Sequence, residues 1–235
     1  MLERLRNWLD QALAGRDEHH DLKHLPAPKT PSGQHLKDLR LIVLDLETTG
    51  LNPAKDEVIA IGAVVIDGGK IPLDDQFDLI LRRPELDISE TVLIHGIGPE
   101  ALTKGHETED ALLHLLEWMN GDPVLAYHAA FDKKFLEKTL RQHLGYSQIH
   151  TWLDVAELMP AMFPQAKTGG RALDNWAELF GLAASARHHA AADAMVTAEL
   201  TLVALNRAHK NGISTLSELN EKLRNVRRLN SLKRL

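Results

Sequence analysis

Cysteine is absent from the 235-residue sequence, which excludes disulfide frameworks, cysteine–zinc sites and a cysteine nucleophile. No apolar run approaches the roughly 18–20 residues of a membrane-spanning helix. The opening residues, MLERLRNWLDQ, carry charges where a secretory signal peptide needs an apolar stretch. These absences predict a cytoplasmic protein that has no membrane partner.

Positive charge and aromatic side chains are also scarce. Lys and Arg together number 27 against 33 Asp and Glu, so the formal net charge is −6 with the histidines neutral. That balance argues against a basic protein that wraps long nucleic acid, although a local site can still hold a phosphate chain. Aromatic residues make up 5% of the sequence, which argues against a long base-stacking surface.

The main part of the chain has the pattern of an α/β domain. Three apolar runs, LRLIVLDLETTG, EVIAIGAVVIDGG and IPLDDQFDLILRR, predict an antiparallel meander with a hairpin turn at Asp67-Gly68-Gly69. After Pro84 the apolar period becomes helical, so the whole predicts a mixed sheet with helices on its faces. We expect further strands in PVLAYHA and at 149–153, and helices near 107–119, in FDKKFLEKTLRQHL, and near 154–160, 171–180 and 190–209.

The N-terminal residues 1–38 form a separate segment by composition. Apolar residues recur at helical spacing over 1–14, which predicts a short amphipathic helix ending at Gly15. Residues 16–38 are polar and rich in His, Pro and Gly, as in a linker. This front end is either an appendage packed on the main domain, here bounded at 39–210, or a docking helix for a partner.

The C-terminal residues 211–235 predict a further helix. Its apolar stripe consists of Leu216, Leu219, Leu223, Val226 and Leu229, at steps of three and four. From Glu221 onward the same segment holds six basic residues, namely Lys222, Arg224, Arg227, Arg228, Lys233 and Arg234. The basic residues are either the solvated face of a packing helix or an arm that contacts phosphates or a protein partner.

Two carboxylates end the first predicted strand. Side chains at i and i+2 leave a strand on the same face, so those of Asp45 and Glu47 can approach one spot. Adjacent carboxylates repel unless they are protonated or share a cation, and hard divalent metals prefer such oxygen ligands. Taken alone the pair decides little, because acids are also common where strands enter turns.

Three more candidates lie at predicted helix starts. Asp132 follows a strand, where it can also be an ordinary acid at a helix N-terminus. His188 and Asp193 are five residues apart, roughly 140° out of register on a helix, so they can cooperate only if His188 precedes the helix. Together with Asp45 and Glu47, these residues suit a site for two metals about 3.5–4 Å apart. The histidine can remove a proton from water near neutral pH.

The order of these motifs resembles that of the DEDDh exonuclease family, which includes the polymerase III proofreading subunit and RNase T. DLETTG (45–50), HAAFDKKFL (128–136) and HHAAADA (188–194) resemble its three exonuclease motifs. VLIHGIGPEAL (92–102) is similar to the segment that lies against the 3′ end of the substrate, and RALDNWAELFGL (171–182) to the helix before the third motif. The resemblance covers roughly residues 39–208.

The resemblance implies an RNase H-like fold, a five-stranded mixed sheet flanked by helices, to which the terminal helices would be additions. It also implies a 3′→5′ exonuclease that releases nucleoside 5′-monophosphates with two Mg²⁺ or Mn²⁺ ions. By position the metal ligands would be Asp45, Glu47, Asp132 and Asp193. His188 would be the general base, and its spacing to Asp193 favours it over the neighbouring His189.

The resemblance also suggests residues that bind the substrate, a single-stranded 3′ end of DNA or RNA. Thr48, Thr49 and the backbone near Gly50 would contact the terminal nucleotide. His95 and Ile97 would line its base, although Ile97 equally suits the core, and His128 of the second motif joins this set. The family commonly has Asn after that histidine, whereas this chain has His128-Ala129-Ala130.

Two functions compete. The first is the exonuclease, with a short footprint and DNA as the expected substrate, although no motif reports on the 2′-hydroxyl that distinguishes RNA. The second is a polymerase-associated or end-binding adaptor with little catalysis, which the terminal helices favour. A pure adaptor has no use for four correctly placed acids.

Overall fold

The computed structural model describes residues 22–30, 33–86, 96–182 and 188–232, with side chains up to Leu229. The predicted helix at 1–14 and the predicted site residue His95 lie outside these ranges.

Five strands form one mixed sheet in the order β3-β2-β1-β4-β5. Strands β1, β2 and β3 are antiparallel neighbours, whereas β4 and β5 run parallel to β1. This confirms the predicted meander and the mixed five-stranded sheet. The strands are β1 (Arg40–Thr48), β2 (Val58–Asp67), β3 (Gln76–Ile80), β4 (Val124–Ala126) and β5 (Trp152–Asp154).

Seven α-helices occur in the described ranges. They are α1 (Pro99–Lys104), α2 (Thr108–Met119), α3 (Ala130–Leu144), α4 (Val155–Met162), α5 (Leu173–Phe180), α6 (Ala190–Lys210) and α7 (Leu216–Leu232). The strand predicted at 149–153 was wrong in its bounds, because β5 comprises only three residues and begins at Trp152. So short a strand offers too few residues for an alternating pattern.

Both faces of the sheet are covered because successive side chains of β1 alternate between two cores. Leu41 and Val43 pack with residues of α4, α5, α6 and α7. Ile42 and Leu44 pack on the other side with residues of α2 and α3. Burial on both faces explains why β1 and β2 read as nearly continuous apolar runs.

The turn between β2 and β3 lies at the predicted hairpin. Asp67 and Lys70 form a bridge around Gly68 and Gly69, whose φ angles are +55° and +71°. Side chains with a Cβ rarely adopt such angles. The two glycines therefore permit the tight reversal after β2, and β3 begins further along the chain at Gln76.

The described parts of both terminal segments pack on the domain. Leu25 and Leu36 of the front end are buried, and the Lys29 ammonium lies 2.6 Å from the Asp122 carboxylate. Leu216 and Leu219 of α7 are each 1% exposed and belong to the core. None of the helices in the described ranges is both long and apolar enough to span a membrane.

Candidate active site

Asp45 and Glu47 lie near the end of β1, the central strand of the sheet. The alternation of β1 places them on the face that α6 covers. Asp193, in the first turn of α6, comes from that helix and is buried. One oxygen from each of the three carboxylates lies within 4.8 Å of the other two, so residues far apart in sequence meet at one point.

A glycine on the neighbouring strand makes this meeting possible. Gly62 of β2 is the register partner of Asp45. A Cβ built on Gly62 would lie 2.1 Å from the backbone of Ala190 and Ala191, far inside van der Waals contact. The start of α6 therefore rests directly on the backbone of β2, which brings Asp193 to Asp45.

Asp132 lies beside this cluster on the first turn of α3. It is 3% exposed, and its Oδ1 accepts a hydrogen bond of 3.2 Å from the backbone N–H of Leu46, between Asp45 and Glu47. Burial, with a smaller contribution from the carboxylates of Asp154 and Glu47, raises the pKa of Asp132 to about 8, although backbone hydrogen bonds lower it. Asp132 is not one of the three groups within 4.8 Å of one another.

The two adjacent histidines differ in position. His188 lies before α6, as the spacing argument requires, and it is exposed with a left-handed φ of +60°. Its backbone N–H donates a hydrogen bond of 3.3 Å to Oδ2 of Asp193. The side chain of His189 instead lies 4.0 Å from the carboxylate of Asp78 on β3. The His189 carbonyl also accepts a hydrogen bond of 3.0 Å from the Asp193 N–H, so the backbones of both histidines contact this acid.

Three predicted substrate contacts, Thr48, Thr49 and Gly50, lie at the end of β1 and in the turn that follows it. The Thr48 hydroxyl donates to the Gly50 carbonyl at 2.7 Å, and the Thr49 hydroxyl accepts from the Glu57 N–H at 3.0 Å. Both hydroxyls therefore shape the turn. A Cβ at Gly50 would lie 2.5 Å from the Asp56 carboxylate, so glycine suits this position sterically. Contact with a nucleotide stays a prediction for all three.

The other predicted substrate residues are more dispersed. Ile97 is 9% exposed and packs with Ile59 and Leu102, which fits the core role left open for it. His128 is exposed, with a φ of +61°, just after β4. It therefore lies at the edge of the sheet where β4 ends and where α3, the helix that carries Asp132, begins.

Asp154 is a further acid at this edge of the sheet that the sequence motifs did not reveal. This residue ends β5, and its Oδ1 accepts backbone hydrogen bonds from His128 at 3.1 Å and from Ala156 at 2.9 Å. Burial raises the pKa of Asp154 above its usual value, against these hydrogen bonds. The sequence offered one signal for Asp154, which is its position at the end of a strand parallel to β4. The carboxyl ends of parallel strands meet at one edge of the sheet, so this acid lies near the end of β4.

The donor set suits hard divalent cations. Carboxylates as close as Asp45, Glu47 and Asp193 repel one another unless a proton or a cation is shared. Oxygen ligands of this kind are those that Mg²⁺ and Mn²⁺ prefer. The residues present therefore fit the cations that the sequence motifs imply.

Comparison with known proteins decides the family. Residues 42–201 match the model of the RNase T family, which is described as "Exonuclease". The chain belongs to this exonuclease family. The matched range contains Asp45, Glu47, Asp132, His188 and Asp193.

Much longer DNA polymerases contain a segment that is similar to this chain. DNA polymerase III PolC-type of Thermotoga maritima is 35% identical over 190 residues, 80% of this chain and 13% of that protein. The PolC-type polymerase of Bacillus subtilis is 30% identical over 190 residues, again 80% of this chain and 13% of the relative. The chain thus spans about an eighth of the length of these relatives.

Solved structures show the same fold. E. coli exonuclease I in complex with a dT13 oligonucleotide has a TM-score of 0.63 and 18% identity, over 74% of this chain and 42% of that one. A zinc-bound E. coli ExoI–ssDNA complex has a TM-score of 0.60 and 18% identity, over 72% of this chain and 41% of that one. The RNase H-like arrangement expected from the motifs is confirmed.

Proposed function

We propose that this protein is a cytoplasmic 3′→5′ exonuclease that hydrolyses single-stranded DNA to nucleoside 5′-monophosphates with two Mg²⁺ or Mn²⁺ ions. The observation that carries the proposal is the approach of Asp45, Glu47 and Asp193 to within 4.8 Å at one edge of the sheet. The buried Asp132 and the exposed His188 adjoin them.

The four acids are the ligands in this account. Asp45, Glu47, Asp132 and Asp193 would hold the two ions. When bound, such ions neutralise charge on the phosphate and help to generate the nucleophile and to stabilise the leaving oxygen. Because the cluster supplies several negative charges, the empty protein would repel a phosphate, and hydrolysis should depend on the divalent cation.

His188 would act as the general base. An imidazole titrates near neutral pH, so it can accept a proton from the attacking water. Its exposure leaves the ring accessible to water at the site, and the hydrogen bond from its backbone to Asp193 fixes the loop beside the acids. Asp154 would be a positioning residue, since it holds the backbone of His128 next to the start of α3.

DNA is the proposed substrate because the relatives named above are DNA polymerases and exonuclease I is found with DNA oligonucleotides. The same relatives support a polymerase as a partner. Deletion of residues 1–36 would then remove co-purification with a polymerase while leaving the acids in place. A full-length protein that has no polymerase partner would contradict this part of the proposal.

The test is degradation of 5′-labelled single-stranded DNA and RNA with Mg²⁺, Mn²⁺ or EDTA. The expected result is a ladder that shortens from the 3′ end, needs the cation and is faster on DNA. Asp45→Asn should abolish it, whereas Asp38→Asn, at an exposed acid before β1, should not. Full activity of Asp45→Asn would overturn the assignment, and a lack of cleavage by the native protein would favour the adaptor.

A further inference from the structure

Helix α7 runs from the edge of the sheet where β1 begins to the opposite edge, where β1 ends. At its start, the carbonyl of Ser214 accepts a hydrogen bond of 2.8 Å from Leu36, just before β1. Eleven residues after Leu216, the first residue of α7, and about 16 Å along the helix, the Nε–H of Arg227 donates a hydrogen bond of 2.6 Å to Glu157 in the first turn of α4. Since α4 follows Asp154, the later turns of α7 lie toward the edge that holds the acids.

Three arginines on these later turns form a stripe. Arg224, Arg227 and Arg228 lie within an arc of about 100° on the helix, and all three are exposed. We call them the arginine stripe. The hydrogen bond to Glu157 raises the pKa of Arg227, and Asp154 adds to this effect. Arg227 is thus within electrostatic reach of Asp154, which contacts the backbone of His128.

Packing weakens along this part of α7, where Val226 is only partly buried against the core. Leu219 and Leu223 are 1% and 2% exposed, so the first turns are anchored in the core. Leu229, the last apolar residue of the predicted stripe, is 58% exposed. The helix therefore extends beyond the core only after Val226, at the end that carries Arg227 and Arg228.

The stripe supplies positive charge near a site whose predicted metal ligands are all acids. The chain has a net charge of −6, and the site acids repel every phosphate except one neutralised by bound cations. Guanidinium groups match phosphate oxygens with several parallel donors. Aromatic residues make up only 5% of the sequence, so contacts to phosphates can contribute more to the affinity for a strand than base stacking can.

We propose that the arginine stripe binds phosphates of the single strand on the 5′ side of the nucleotide held at the acidic site. The proposal rests on the proposed function, because it takes the substrate to be a nucleic-acid strand. It makes α7 a phosphate-contacting arm, so affinity should depend on strand length and on salt.

The test uses Arg224→Ser/Arg228→Ser and a matched double variant, Lys37→Ser/Lys70→Ser. The two lysines are exposed and lie at the opposite edge of the sheet, by the start of β1 and in the β2–β3 turn. KM is measured for strands of about 3 and about 12 nucleotides over a range of salt concentrations. The conservative variant Arg224→Lys/Arg228→Lys retains the charge.

In the stripe variant, we expect KM for the longer strand to rise about tenfold and the slope of log KM against log salt to fall by about one to two. The lysine control and the conservative variant should keep the native slope. The arm would be overturned, and the proposed function would not, if the stripe variant hydrolysed the strand with a KM that depends on strand length and salt as in the native protein. A native protein that hydrolyses no strand would overturn the proposed function and the arm with it.

Discussion

The backbone of Ala190 lies against Gly62 so closely that a Cβ on the glycine would be 2.1 Å from the Ala190 carbonyl carbon. Because Gly62 pairs with Asp45 across the sheet, this contact sets the distance between β1 and the helix that carries Asp193. The site therefore depends on a residue that carries no chemistry itself.

Gly62→Ala should displace the start of α6. Overpacking of this kind costs about 1–3 kcal/mol of unfolding free energy, which corresponds to about 2–4 °C in Tm for each kcal/mol in a chain of this size. The displacement should also weaken Mn²⁺ binding, measured by titration calorimetry. Gly33→Ala is the control because no atom lies within 4 Å of the added Cβ. Native metal affinity in Gly62→Ala would contradict the role of this contact.

Divalent cations should stabilise the folded protein. A ligand that binds only the native state raises its stability by about 2.7 kcal/mol at a hundredfold excess over its dissociation constant. Mn²⁺ should therefore raise Tm, and EDTA should reverse the change. Glu47→Gln should lose most of the increase, whereas Glu85→Gln, at an exposed acid in the turn after β3, should retain it. An increase of native size in Glu47→Gln would contradict the predicted ligand set.

Acid should destabilise the fold through His150. This histidine is 8% exposed, its Nε2 lies 2.8 Å from the Tyr146 hydroxyl, and burial lowers its pKa below the usual value of 6.5. On acidification the unfolded chain therefore binds more protons than the native protein. The contribution of His150 to the free energy of unfolding, present above pH 6.5, is lost as the pH falls through the pKa of His150 in the folded protein.

Tm measured from pH 7.5 to 5 checks this sign. His150→Phe should show a smaller decrease in Tm on acidification than the native protein, whereas His209→Gln, at an exposed residue near the end of α6, should show a native decrease. An equal decrease in His150→Phe and the native protein would remove His150 from the account.

Helix α7 should contribute to the stability of the domain rather than behave as a tail. Leu219→Ala should cost about 2–5 kcal/mol, because Leu219 is 1% exposed within the core. Leu229→Ala should change stability by no more than about 0.5 kcal/mol, since that side chain is largely exposed. Urea unfolding of both variants distinguishes them. Equal and small changes in the free energy of unfolding of the two variants would show that α7 does not contribute to the stability of the domain.

The sequence predicted the features that depend on local pattern. The meander followed from continuous apolar runs and from Gly68-Gly69, and the shared face of Asp45 and Glu47 followed from the two-residue period of a strand. The helical register of His188 and Asp193 correctly required His188 to precede α6. These inferences need only neighbouring residues, so they survive without knowledge of the packing.

The remaining features depend on contacts between distant segments. No local pattern shows that Gly62 must admit the backbone of α6, or that Asp154 accepts a hydrogen bond from His128, 26 residues away. The direction of α7 across the sheet likewise follows from its contacts with Leu36 and Glu157. Sequence periodicity identified its buried stripe but not the edge to which its arginines extend.

The most direct test of the central claim is the single-turnover rate of 3′→5′ degradation of labelled single-stranded DNA by the native protein, His188→Ala and His189→Ala. The account predicts that loss of the His188 imidazole lowers the rate by about 10²–10⁴, with the cation still bound. His189→Ala should remain within a few-fold of the native rate, because His189 lies against Asp78. A native rate in His188→Ala, or equal losses in the two variants, would contradict the assignment of His188 as the base.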